Sequence, residues 1–228
     1  MTDPTLPTAE IHAILEARHG DPFGFLGRHT LPTGTVVVRS FQPKAHSVTV
    51  HARDGSASWP LKRVHEHGFF QGVVDGSQGD YELEIQTLDG RNYRQADSYS
   101  FGTLLGDQDI YFFKEGTHQK LWDCLGAHLK TVGGVSGVQF AVWAPNASRV
   151  SVVGDFNQWD GRVNPMRNRE GIWEIFIPGL TEQAHYKFEL RGGDGGLHVK
   201  SDPFAFFNQH GTQTASLVFN LDRYGWGD

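Results

Sequence analysis

Val38-Arg39-Ser40-Phe41-Gln42-Pro43 returns in the second half of the chain as Phe140-Ala141-Val142-Trp143-Ala144-Pro145. Ser47-Val48-Thr49-Val50 returns as Arg149-Val150-Ser151-Val152 at the same separation. Tyr81-Glu82-Leu83-Glu84 matches Tyr186-Lys187-Phe188-Glu189, and Asp97-Ser98-Tyr99-Ser100-Phe101 matches Asp202-Pro203-Phe204-Ala205-Phe206, at a slightly longer one. Self-similarity on this scale means one domain used twice. The period is far longer than a solenoid repeat and close to the size of a small β-sandwich.

The 228 residues leave room for two domains of about 100–120 residues, each able to bury its own core. A hydrophobic content of 38%, with 16 Phe, fits a globular protein, and 28 Gly and 10 Pro between short apolar runs point to many turns and mostly β structure. A net charge of −6 without any Lys/Arg cluster argues against a nucleic-acid surface and favours a neutral or small partner. Cys124 is the sole cysteine, so no intrachain disulfide can form and no Cys-based zinc site can be closed. The first 30 residues carry Asp3, Glu10, Glu16 and Asp21 and lack a signal-peptide apolar run, and no stretch has the length of a membrane span. A soluble, cytoplasmic protein with no membrane partner is expected.

Pro7-Thr8-Ala9-Glu10 predicts a helix start with Thr8 as cap. Ile11, Ile14 and Leu15 follow at helical spacing, and Gly20 supplies a stop. Beyond it the period turns to two. Thr35–Phe41, Ser47–Val50, Gly72–Val74 and Tyr81–Ile85 read as strands in the first copy, and Val138–Trp143, Val150–Val153, Ile172–Ile177 and Tyr186–Leu190 in the second. The fold expected is all-β: two tandem immunoglobulin-like β-sandwich domains with a short N-terminal helix. Asp109 to Lys120 reads as the bridge, giving domains 1–115 and 116–228.

Trp159 falls in a polar turn, Gly154-Asp155-Phe156-Asn157-Gln158-Trp159-Asp160-Gly161-Arg162. Trp159 follows Asn157 and is flanked by Asp155, Asp160 and Arg162, and a flat indole with amides and carboxylates around its rim suits a neutral sugar, whose C–H face stacks while its hydroxyls take directional hydrogen bonds. The alternative is an indole folded back as a lid on the sandwich. Lys187 lies on a strand between Tyr186 and Phe188, where it either donates to sugar hydroxyls or is simply solvated. Trp143 and Trp173 alternate with Val and Ile and are expected in the core. His65-Glu66-His67 would place two imidazoles on one strand face, but a polar turn is the favoured reading and no metal site is assigned. No carboxylate pair is marked as nucleophile and acid, and Cys124 is expected to be a small buried residue. No catalytic residue and no cofactor are expected; read from its residues, the chain binds and does not catalyse.

Phe140–Ala147, Val150–Arg162, Gly171–Glu174, Tyr186–Glu189, Lys200–Phe204 and Thr214–Ser216, with His19–His29 upstream, closely resemble bacterial 1,4-α-glucan (glycogen) branching enzymes. The second copy resembles a carbohydrate-binding module of family 48. The resemblance implies a glycosyltransferase of glycogen biosynthesis that moves an α-1,4 chain to an α-1,6 branch. Its catalytic carboxylates would lie in a (β/α)₈ barrel that would begin beyond the Tyr224–Asp228 segment. By this resemblance the chain is the non-catalytic N-terminal part, inactive by itself, with glycogen or maltooligosaccharides and the C-terminal barrel as partners. A free-standing glucan-binding or regulatory module is the alternative, and a purely structural pair of sandwiches a third. The related glycogen-binding modules of kinase regulatory subunits imply binding roles for Trp159, Lys187 and Thr212. Their second stacking tryptophan is replaced near Leu197, a loop leucine by His210 and an asparagine by Thr214, which implies weak binding on one platform.

Overall fold

The structure is a computed structural model that describes residues 7–75, 79–211 and 213–223. It divides into two compact units, Met1–Ser100 and Phe101–Asp228. Each is a β-sandwich headed by one short helix, so the fold is the all-β pair the repeat announces.

In the first unit, α1 (Thr8–Leu15) buries Ile11, Ala13, Ile14 and Leu15. Thr8 is not its cap: Pro7 precedes the helix and its carbonyl accepts the Ile11 N–H at 3.1 Å. The chain leaves the helix through Ala17, left-handed at φ 53°, before Gly20 is reached. Seven strands follow: β1 (Gly27–Thr30), β2 (Val36–Phe41), β3 (Ala45–Ala52), β4 (Ser58–His65), β5 (Phe69–Val73), β6 (Tyr81–Thr87) and β7 (Asn92–Ala96). They pair in the order β1-β2-β5-β4-β3-β6-β7, antiparallel throughout. β4 joins the two layers. Its first half pairs with β3 from Ser58 to Leu61 and its second half with β5 from Lys62 to His65, through an irregularity after Arg63. A strand that switches sheets in this way turns one hydrogen-bonded path into a sandwich. Val38, Val48, Val50, Leu61, Phe70, Leu83 and Ile85 fill the space between the layers.

The second unit opens with α2 (Asp107–Lys114), where the sequence reads as a bridge. β8 (Gly126–Val132), β9 (Val135–Trp143), β11 (Arg167–Arg169) and β12 (Ile172–Pro178) form one sheet, in the order β11-β12-β9-β8. β10 (Ala147–Gly154), β13 (His185–Gly192), β14 (Leu197–Lys200), β15 (Phe207–Asn208) and β16 (Ser216–Leu217) form the other. Phe140, Trp173, Ile175, Tyr186 and Phe188 make its core. Trp173 is buried and donates its indole N–H to Ala144 O at 3.0 Å. Trp143 is not core: it is 54% exposed at the end of β9, against Phe113 of α2. The register sets Trp143 opposite Ile172, on the face toward α2, and Trp173 opposite Val142, on the other face.

The boundary stands at residue 100 instead of 115, and packing explains why. Leu105, Ile110 and Leu125 form one cluster with Ala141 and Ile172. The buried Glu174 carboxylate accepts the N–H groups of Leu104 and Leu105, each at 3.1 Å, and Arg169 donates to Leu105 O at 2.6 Å. Residues 101–125 therefore belong to the second sandwich, as residues 8–26 belong to the first. The repeat extends through the helices: Glu10, Ile11, His19, Leu26, Gly27 and His29 recur in order as Asp109, Ile110, His118, Leu125, Gly126 and His128. Their contacts recur too. His29 and His128 bond Leu26 O and Leu125 O at 2.7 and 2.9 Å. Gly27 and Gly126 have φ 84° and 104°, and a Cβ there would come to 2.9 and 3.0 Å from the carbonyl oxygens of Tyr99 and Phe204.

Each sandwich also closes on a buried tyrosine–aspartate pair. Tyr81 OH donates to Asp97 at 2.7 Å and Tyr186 OH to Asp202 at 2.6 Å. Burial pushes both carboxyls above their ordinary 3.8, although the tyrosine and a backbone N–H hold them down in part. A raised carboxyl contributes stability that is complete below its unfolded value and is lost as pH rises through the folded one. Asp97→Asn and Asp202→Asn keep an acceptor for the tyrosine and remove that loss. The melting-temperature deficit of each variant relative to the native chain should therefore shrink as pH rises from 3.8. A deficit independent of pH in thermal scans would refute this. Among the described residues no helix is long and apolar enough to cross a membrane.

Candidate functional site

The turn after β10 is built by its own side chains. Asp155–Asn157 makes a single 3₁₀ turn, and Gln158 and Trp159 follow in the left-handed region at φ 56° and 61°. Asn157 holds the turn closed. Its Oδ1 accepts the Gly154 N–H at 2.9 Å, and its amide donates to Val152 O and Asn164 Oδ1, each at 2.8 Å. Asp160 grips Arg162, whose Nε and Nη2 donate to its carboxylate at 2.9 and 2.7 Å. With these bonds made, the Trp159 indole stands 39% exposed.

Antiparallel pairing of β10 with β13 sets Val153 opposite Lys187 and Gly154 opposite Tyr186. The strand period then puts His185 and Lys187 on one face, next to the Trp159 turn. Asp155 joins the two elements: one carboxylate oxygen accepts the Trp159 indole N–H at 2.9 Å, and the other lies 3.2 Å from His185 Nδ1. Lys187 Nζ donates to Thr214 Oγ1 at 2.8 Å. Trp159, Asp155, His185 and Lys187, with Gln209 and Gln213 of the last loop, line an open depression of ≈ 470 Å³.

Trp159 and Lys187 are thus brought together. Asn157 and Asp160 are adjacent but do not line the depression; their side chains shape the turn. Thr212 lies outside the described residues, between Gly211 and Gln213 of the last loop. Asp155 reads only as a residue flanking Trp159 in the turn; His185, Gln209 and Gln213 went unread in the sequence. His185 had a signal, two positions before Lys187 on the same strand face. The glutamines had none, because the last loop reaches the site only through tertiary packing.

One cluster has metal-like spacing. Asp109, His118 and Cys124 bring ligand atoms within 4.8 Å of one another, with His118 Nε2 at 3.2 Å from the carboxylate and 3.4 Å from the thiol. The other ring nitrogen decides against a metal. His118 Nδ1 accepts the Lys120 N–H at 3.2 Å, so the proton sits on Nε2, where a cation would need a lone pair. The first unit repeats the arrangement: His19 Nδ1 accepts the Asp21 N–H at 3.1 Å and Nε2 faces Glu10 at 2.7 Å. Phe25, stacked on His19, holds the place in the repeat that Cys124 holds in the second unit. Both are latches from helix to loop. Burial, with Asp109 beside it, pushes the half-buried Cys124 thiol up to about 11, so it stays protonated and unreactive. His65 ends β4 and its Nδ1 accepts the His67 N–H at 3.2 Å, which makes His65–His67 a polar turn.

The depression is open and carries the exposed Trp159 indole and the Gln209 and Gln213 amides in its lining. Residues 124–205 match the profile of carbohydrate-binding module 48 (isoamylase N-terminal domain). Residues 7–99 match that of the alpha-1,4-glucan branching enzyme GlgB N-terminal domain. Proteins named 1,4-alpha-glucan branching enzyme GlgB from Paramagnetospirillum magneticum, Rubrobacter xylanophilus and Pseudomonas fluorescens are each 47% identical to this chain, over 97%, 96% and 98% of it. The chain spans 30% of the length of each. A solved pullulanase from Anoxybacillus sp. LM18-11 superposes over 84% of this chain and 27% of that chain at 15% identity with a TM-score of 0.38, too loosely to add to this. The first unit of this chain belongs to the family of N-terminal domains of 1,4-α-glucan branching enzymes, and the second to the carbohydrate-binding modules of family 48.

Proposed function

We propose that this chain is the non-catalytic N-terminal part of a 1,4-α-glucan branching enzyme, and that its second unit holds α-glucan for chain transfer by a C-terminal catalytic barrel. The observation that carries the reading is the half-exposed Trp159 indole standing beside Lys187 in one depression. A glucosyl ring stacks its C–H face on the indole. Lys187, Gln209 and Gln213 then exchange hydrogen bonds with its hydroxyls. Asp160 is engaged by Arg162 and Asp155 by His185, which leaves Lys187 as the charged donor in the lining of the depression. Glycogen biosynthesis in the cytoplasm is the setting this reading implies.

A single exposed platform gives weak binding, on the order of micromolar to millimolar. Native electrophoresis should show retardation of the chain by glycogen in the gel. Lys187→Met keeps the stem, removes the donor and should weaken retardation severalfold. Mobility unaffected by glycogen in the native chain would overturn the reading.

A further inference from the structure

Two consecutive non-glycine residues in the left-handed region, the second of them a tryptophan, are uncommon, because Cβ crowds the backbone there. Such a conformation persists only where its surroundings over-determine it. The backbone half of that restraint is the Trp159 N–H to Gly154 O bond at 2.9 Å together with the Asn157 clamp. Neither fixes the ring, which projects from an exposed turn. The indole N–H is fixed by Asp155 alone among the described residues, and Asp155 is in turn held by His185 from the neighbouring strand.

We propose that Asp155 and His185 are a positioning pair for the sugar platform: His185 orients the Asp155 carboxylate, which holds the Trp159 indole at the azimuth that presents its face to a glucosyl ring. The inference rests on the glucan reading above. With one platform, affinity depends on that ring being ordered before the ligand arrives, since a rotating indole loses its freedom on binding. Both carboxylate oxygens of Asp155 face protein donors, so its part is to aim the ring while hydroxyl recognition falls to Lys187 and the loop glutamines. Sequence alone pairs none of these three. Asp155 and Trp159 are four residues apart in a turn, and His185 joins them only through the β10–β13 register.

The full chain tests this by two independent readouts. The indole N–H resonance of Trp159, identified by its absence from Trp159→Phe, should move upfield in Asp155→Ala and stay near its native position in Asp155→Asn, whose amide oxygen still accepts. Maltoheptaose affinity should fall about tenfold in Asp155→Ala and recover to within about threefold in Asp155→Asn. His185→Ala should weaken binding and His185→Gln, which keeps a donor, should restore most of it. If Asp155→Ala fails to fold, the two His185 variants carry the comparison. Native-like affinity in Asp155→Ala, with binding abolished in Trp159→Ala, would overturn the positioning pair alone. Absence of maltoheptaose binding by the native chain would overturn the glucan reading and the pair with it, whatever the indole resonance does.

Discussion

Replacing Trp159 by alanine should lower α-glucan affinity at least about tenfold while the second unit melts at its native temperature. Truncating a buried aromatic contact to a ligand costs on the order of 2 kcal/mol or more, which sets the size of the loss. The ring is 39% exposed and stands in a turn held by Asn157 and by backbone bonds, so little folding energy depends on it. A tryptophan folded back as a lid would behave differently. Its truncation would cost about 3–5 kcal/mol of stability and lower the melting temperature visibly. Retardation by glycogen and a thermal scan on the same variant separate the two. Unchanged mobility with a large drop in melting temperature would make Trp159 a structural residue.

Arg149→Ala should have the opposite signature. Its side chain is 1% exposed and forms an ion pair with Glu189. Its Nη1 donates to Ser151 Oγ at 2.7 Å and to Gly161 O, while Nε has no partner among the described residues. A Cβ at Gly161 would fall 1.9 Å from the Glu189 carboxylate, so a larger residue there would have to displace that carboxylate. Removing one member of a buried pair leaves the other without compensation, which costs about 3–5 kcal/mol. For a unit of this size that lowers the melting temperature on the order of ten degrees or more. The double replacement Arg149→Met with Glu189→Leu should recover much of the loss, because no unpaired charge remains. A single variant within about one degree of the native melting temperature would show that the ion pair contributes nothing to the fold. Through Gly161 O the same arginine ties down the far end of the Trp159 turn, so glucan binding should fall with stability in this variant and independently of it in Trp159→Ala.

The two sandwiches were legible because duplication and strand alternation are local properties of a chain. Phe140, Val152, Tyr186 and Phe188 announce buried faces by spacing alone. The helices were harder. α1 has a clear apolar stripe, but α2 buries Ile110 alone, with Tyr111 and Phe112 turned outward. Its equivalence to α1 emerges from the shared latch of carboxylate and histidine, a contact between residues that alternation cannot reveal. Trp143 and Trp173 show the same limit from the other side, since the β9–β12 register puts them on opposite faces of one sheet, Trp143 half-exposed against α2 and Trp173 in the core.

By itself the sequence determined the strand faces, the repeat and the turn that carries Trp159, because each follows from neighbours within a few residues. Only the tertiary structure decided the domain boundary, which depends on Leu105, Ile110 and Glu174 packing across the second sandwich. It also decided the company Trp159 keeps. Asp155, His185, Lys187 and Thr214 converge because antiparallel register and a returning loop bring distant segments to one spot, and register is set by burial of whole strands, which no local pattern of polar residues encodes.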